Sequence, residues 1–416
     1  MTDKHITVDS IRWHSVLPWL YLFRVAQLAF RARTIAVATL AVLVFAVGNA
    51  SLRNLPFVAW KDSESLFPVL SDFSEALSEH RSKPKEQDKR WLIPRDGSSA
   101  KRHSTLEDPY GWMAWPLETV FRPARRLFDF GNTWHEVATA WTSLLWALLV
   151  WGVFGGALCR MMAVRFARDE SVSLRAALRF SIRNWQSYLY GPLLPMLGVG
   201  FFTLIAFSVG SVERWLTASN GMVLAVFGFI PVLCAVAMAF LLALMAAGWP
   251  LMTAAISTEG SDGFDGLSRA FSYVLNRFWC LLGLTLLVWL IGYFTSGLLV
   301  VFFETAFWLV DWSVGPTSAS DSGSLWFDVL NIARLGVCVS FFWSATTVIY
   351  FLLRRSDDGT PLDQVYIPGP PPKAEPLPLV GVAASEQPVI ERPTVEPVAT
   401  GGPPVISGNT DERRTE

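Results

Sequence analysis

The chain reads as an all-α integral membrane bundle of six spans, with amphipathic helices at the interface and a disordered C-terminal tail. Three observations predict this class. Of 416 residues, 52% are hydrophobic and 17% charged, and the mean hydropathy is +0.37, which is not a soluble composition. The apolar residues are clustered, and the thirty-seven residues from Gly221 to Ser257 include no Asp, Glu, Lys, Arg or His. A hydrocarbon core about 30 Å thick needs only about 20 helical residues. Nineteen Trp, many flanking the apolar runs as Trp134, Trp215, Trp279 and Trp308 do, suit an aromatic belt at headgroup level.

Taken in order, residues 1–33 form an N-terminal segment in which Arg24, Gln27 and Arg31 share a polar face, as in a surface-lying helix. The first span covers 34–52. It is followed by "GNAS", which resembles a signal-peptidase site, but a signal peptide starts with a short basic stretch. Here thirty-three residues come first, including the apolar "VLPWLYLFRVAQLAF", so the span reads as an uncleaved anchor. Residues 53–136 form a long external loop, polar in its middle. It ends in an amphipathic helix with Val120, Phe121, Ala124, Leu127 and Phe128 on one face, expected to lie in the interface.

A five-span membrane domain follows over 137–355, with spans at 137–159, 189–212, 221–247, 279–303 and 334–353. The loop between the second and third spans carries six Arg (160, 165, 168, 175, 179 and 183), and the last span ends in Arg354 and Arg355. The positive-inside rule puts these, and both termini, in the cytoplasm. Residues 356–416 hold twelve of the twenty-five Pro and ten acidic residues, with few aromatics. Such a composition cannot offset its ordering entropy, so a disordered tail is expected, with polyproline character near "IPGPPPKAEPLP".

The stretch from Gly248 to Trp279 marks a hinge. Pro250 is expected to bend or end the fourth span, while Glu259, Asp262 and Asp265 among three Gly supply caps and turn chemistry. Leu267, Ala270, Phe271, Val274 and Phe278 then recur at helical spacing. The same order of parts occurs around "ARDESVSLRAALRFSIRNWQSYL": a shift of ninety residues aligns Asp169 with Glu259, Ser171 with Ser261 and Arg179 with Arg269. A parallel duplication of a span–amphipathic helix–span unit would produce this.

The pattern P-x-x-x-A-x-x-x-x-E-G from Pro250 to Gly260, followed by Gly266, Leu267, Arg269, Phe271, Arg277, Phe278 and Trp279, resembles a broad group of bacterial multi-span proteins. That group includes the membrane domain found beside some glycerophosphodiester phosphodiesterases. The resemblance covers about residues 140–303 and implies an all-helical bundle in a bacterial cytoplasmic membrane. The phosphodiesterase barrel has no counterpart in this chain, so that activity is not carried over.

Catalytic chemistry has no visible home. The five His are scattered, and there is no H-E-x-x-H, G-x-S-x-G or P-loop. The three carboxylates at 259, 262 and 265 lack the alternating oxygens of a calcium loop. The four Cys have no C-x-x-C spacing and read as buried thiols. No catalytic residue, metal or other cofactor is therefore expected, and nucleic acid is not an expected partner. The cores of the second to fifth spans carry no ionisable group. At the outer edge, Glu304 and Arg334 form a candidate polar contact between spans five and six. "WGVFGG" offers Gly152 and Gly156 as a small-x-x-x-small packing face. The expectation is an accessory or scaffold component of a membrane assembly, presenting residues 356–416 to a cytoplasmic protein. A carrier or permease for an apolar or lipid-like solute is the alternative.

Overall fold

The computed structural model describes residues 18–53, 114–128, 131–215, 221–314 and 322–366. Most of the polar stretch between the first two spans lies outside these residues. So does the chain from 367 onward, the larger part of the tail (356–416) expected to be disordered and to bind a protein. Residues 356–366 are described, with 356–358 closing the last helix, and there the expectation of disorder is corrected.

Every element among the described residues is helical. A 3-10 turn over Pro18–Phe23 leads into α1 (Arg24–Ala29), then α2 (Ala32–Arg53). Next come α3 (Trp115–Arg126), α4 (Trp134–Arg168), α5 (Leu174–Arg183) and α6 (Trp185–Trp215). The chain continues through α7 (Met222–Phe227), α8 (Phe229–Glu259), α9 (Gly263–Asn276), α10 (Phe278–Val314) and α11 (Ser322–Asp358). Six of these, α2, α4, α6, α8, α10 and α11, are long and apolar enough to cross a membrane, making an all-α membrane bundle.

The helices outrun the apolar stretches that reveal them, because caps rather than hydropathy end them. α4 continues to Arg168, where Asp169 turns left-handed (φ 58°). α8 runs through Pro250 to Glu259 and stops at Gly260 (φ 68°). Proline removes one intrahelical bond at a cost of about 3 kcal/mol. The residues on both sides of Pro250 are buried against neighbouring helices, so packing holds the helix together there. Of the two expectations for Pro250, to bend or to end the span, the second is corrected: the helix continues through it. Two units share one order of parts, α4–α5–α6 and α8–α9–α10. In each, a left-handed cap closes the span, a short side chain (Ser173 or Asp262) caps the amphipathic helix, and one non-helical residue (Asn184 or Arg277) precedes the next span.

The core sits on α4 and α11, whose span windows are 83% and 94% buried, against 11%, 17% and 22% for α6, α8 and α10. α2 packs along both α4 and α11. Midway along, rings from five elements meet: Phe45 stacks on Trp151 at 6.0 Å, Trp115 meets both edge-on at 5.5 Å, and Trp343 joins Trp151 to Trp249 at 6.3 and 5.8 Å. Glycines make room for aromatic rings: Gly152 and Gly156 seat Tyr188 of α6, and Gly155 seats Trp343. The Gly152/Gly156 face is thus used for packing.

The position of α3 departs from expectation. Its apolar face, with Trp115, Thr119, Val120 and Ala124 buried, packs on α4, and Trp151 donates its indole N–H to Thr119 at 2.7 Å. The first turn of α3 therefore lies among the central rings. It is not an interfacial helix, because its amphipathic face is covered by protein. α9 is likewise packed on α8, α6, α10 and α11, whereas α5 buries only Ala177 and Ser181 and leaves Leu174 and Ile182 exposed, as an interfacial helix would.

Candidate functional site

The arginine-bearing ends of α4 and α11 meet the end of α8 about 15 Å from the ring layer, counting ten residues from Trp249 to Glu259 at 1.5 Å each. This basic end holds most of the charged contacts among the described residues. Its centre is Glu259, 11% exposed, on the last turn of α8. One carboxylate oxygen accepts the Tyr350 hydroxyl at 2.5 Å and lies 3.1 Å from Arg354 Nε, an ionic contact without hydrogen-bond alignment. The other receives Arg269 Nη1 at 2.8 Å. Burial of this kind is tolerable because each charge finds a partner.

α9 delivers Arg269 to this point. Asp262 caps the helix, accepting the Asp265 amide at 2.8 Å, and Asp265 in turn pairs with Arg269 at 3.1 Å, four residues on. α9 can lie close because Gly263 faces the Ser187 carbonyl, which an added Cβ would meet at 2.5 Å. Burial works against the Arg269 charge, but Glu259 and Asp265 outweigh it and raise its pKa. At the far end of α9, the Tyr273 hydroxyl donates to Asp358, and Arg277 pairs with Asp357 at 3.2 Å. Burial first, and then the Asp358 carboxylate, hold the Tyr273 phenol above its ordinary pKa.

A second layer lies beneath. Arg160, 4% exposed, donates to the Ser257 carbonyl at 3.0 Å and to the Tyr366 carbonyl, and its guanidinium sits 4.7 Å from the Phe180 ring. Tyr188 and Ser257 share a hydrogen bond of 2.9 Å, and Ser257 reaches the Gly156 carbonyl at 3.1 Å. The chain leaving α11 folds back over this layer as a clasp. The Tyr366 amide donates to the Thr258 carbonyl at 2.9 Å, and Arg354 Nη1 donates to the Gln364 carbonyl at 2.9 Å. Gly260 is required under the clasp twice over, by its positive φ and because a Cβ would lie 2.6 Å from the Tyr366 ring.

Of the residues singled out by sequence, Glu259, Asp262 and Asp265 come together here. Asp262 is the helix cap, while Glu259 is an ionic hub instead of a cap. Pro250 lies more than two turns away inside α8. Glu304 on α10 and Arg334 on α11 sit at the opposite end, Arg334 7% exposed beside Cys338. They are near enough for Glu304 to act on the Arg334 charge, but no ion pair within 4.0 Å joins them. Sequence reasoning missed Tyr350, Arg354 and Tyr366 as members of the knot and treated Arg160 as a topogenic charge only. Arg354 and Tyr350, four residues apart on one face of α11, were the available signal. No group of three or more His, Cys, Asp or Glu among the described residues is arranged to hold a metal ion. No family model, curated protein or solved structure matches the chain.

Proposed function

We propose that this protein is a non-catalytic membrane scaffold that presents an acidic, Pro-rich arm, 356–416, to cytoplasmic partners. The observation that carries this reading is the clasp: the root of the arm, 359–366, is bonded to α4, α8 and α11 through Arg160, Thr258 and Arg354. A tether with no positional role needs no such attachment. The six arginines from 160 to 183 favour placing this end in the cytoplasm.

The test compares the full chain with a version stopped after Tyr366, purified in mild detergent, with retained proteins and small molecules identified by mass spectrometry. A partner held only by the full chain supports the scaffold. If both versions hold the same apolar solute and neither holds a protein, the scaffold reading fails and the carrier takes its place. The low burial of α6, α8 and α10 favours that second reading, since their apolar faces are open to solutes entering from the lipid.

A further inference from the structure

A pocket of about 540 Å³ opens at the basic end between the N-terminal helix and the clasp. Its lining includes Tyr21, Arg24, Arg355, Thr360 and Asp363, with Phe166 as an apolar wall. The volume falls within the range of small-ligand sites, about 300–1,000 Å³. We propose that this pocket binds the phosphodiester headgroup of an anionic glycerophospholipid from the leaflet at the basic end.

Charge and geometry set the ligand class. Two guanidiniums face the space, and guanidinium forks match phosphate oxygens in a way that a lone ammonium does not. Arg24 lies 5.7 Å from the Phe166 ring centre. Its other charged contact is Asp169 at 3.6 Å, 71% exposed and therefore weakly held. Arg355 has no ion pair among the described residues. Asp363 is the only acid in the lining, leaving one net positive charge. That suits a phosphodiester monoanion better than a phosphate monoester, whose second charge would go unmatched. Asp363 and the Thr360 hydroxyl provide acceptors for headgroup hydroxyls.

A soluble glycerophosphodiester shares this chemistry. The flanking surface argues for the lipid: the segment that carries Tyr21 and Arg24 inward turns Trp19 and Phe23 outward, 39% and 54% exposed, where acyl chains would run. Basic pockets between helices at a membrane surface suit anionic headgroups.

The test uses the full chain in nanodiscs of equimolar phosphatidylglycerol and phosphatidylcholine, released into mild detergent, with retained lipids counted by native mass spectrometry. Enrichment of phosphatidylglycerol by about tenfold is expected, equivalent to about 1.4 kcal/mol. Arg24→Gln and Arg355→Gln should each bring it toward parity, Arg355→Lys, which keeps the charge but not the fork, should keep only part of it, and Arg168→Gln, outside the pocket, should leave it unchanged. No enrichment in the wild type overturns the proposal, and so does enrichment indifferent to Arg24 and Arg355. In parallel discs with phosphatidylethanolamine in place of phosphatidylglycerol, an equal enrichment over phosphatidylcholine overturns the charge argument. Displacement of the lipid by glycerophosphoglycerol at similar concentration overturns the lipid source and assigns the site to a soluble diester.

Discussion

Glu259→Gln removes one charge from the knot at constant size. Glu259 and Arg354 are 11% and 13% exposed, so the change strands a buried guanidinium, which costs about 3–5 kcal/mol. The Arg269 contact adds about 0–1 kcal/mol, because that side chain is 39% exposed and screened by water. The amide oxygen can still accept from Tyr350, losing only the charge assistance, on the order of 1 kcal/mol. These contributions share one residue and do not add, so the expected loss is about 3–4 kcal/mol. Arg354→Met leaves Glu259 paired with Arg269 and loses the bond to the Gln364 carbonyl, an expected cost of about 2 kcal/mol. The double variant strands no guanidinium and should cost no more than Glu259→Gln alone, a coupling of about 2 kcal/mol. Unfolding in mixed micelles, followed by tryptophan fluorescence, measures all three. If the two single losses add within about 0.5 kcal/mol, Glu259 and Arg354 do not act as a unit and the account of the knot is wrong.

Gly260→Ala forces a left-handed Ala, at about 1–2 kcal/mol, into the Tyr366 ring. It should release the clasp, raising protease cleavage between Asp358 and Tyr366 about tenfold, since cleavage follows the open population; unchanged cleavage would mean that Gly260 does not hold the clasp. Thr119→Val orphans the Trp151 indole N–H at a cost of about 1–3 kcal/mol and should speed hydrogen exchange in α3. Exchange as slow as in the wild type would show that Thr119 does not anchor that helix. Tyr273 has a folded pKa raised above its unfolded value, so its contribution is whole below pH 10.0 and is lost as pH rises beyond it. Tyr273→Phe should flatten the alkaline limb of the stability profile, and a limb as steep as that of the wild type contradicts the assignment.

Hydropathy decides which segments are placed in lipid, so the six spans were legible in the sequence, as was the turn between Glu259 and Gly263. The boundaries were less so. Caps such as Gly260 act on backbone geometry, which a run of apolar letters does not record. The seat of α3 was illegible for another reason: a helix with Arg122, Arg125 and Arg126 on one face looks the same whether the other face meets headgroups or Trp151. Glu259 stood out locally, and its neighbours Asp262 and Asp265 suggested a cap or an ion loop. Its actual partners on α11, Tyr350 and Arg354, are ninety-one and ninety-five residues away, and no local pattern encodes such a contact. Arg160 was visible as a charge, but its burial follows from α4 running past it to Arg168.

The five residues Trp151–Gly155 of α4 form a π-helical turn. Such a turn holds one residue more than an α-helical turn, so it shifts the angular phase of everything beyond it by about 100°. The half of α4 from Trp134 to Val150 and the half from Gly156 to Arg168 are therefore set to different clocks: the first aims its buried face at α2 and α3, the second at α5, α8 and α11. Deleting a single residue from "WGVFG" would bring the halves into step and swing Arg160 away from Ser257 and Tyr366, although every remaining side chain would be unaltered. In this stretch the count of residues, as much as their identity, carries the information.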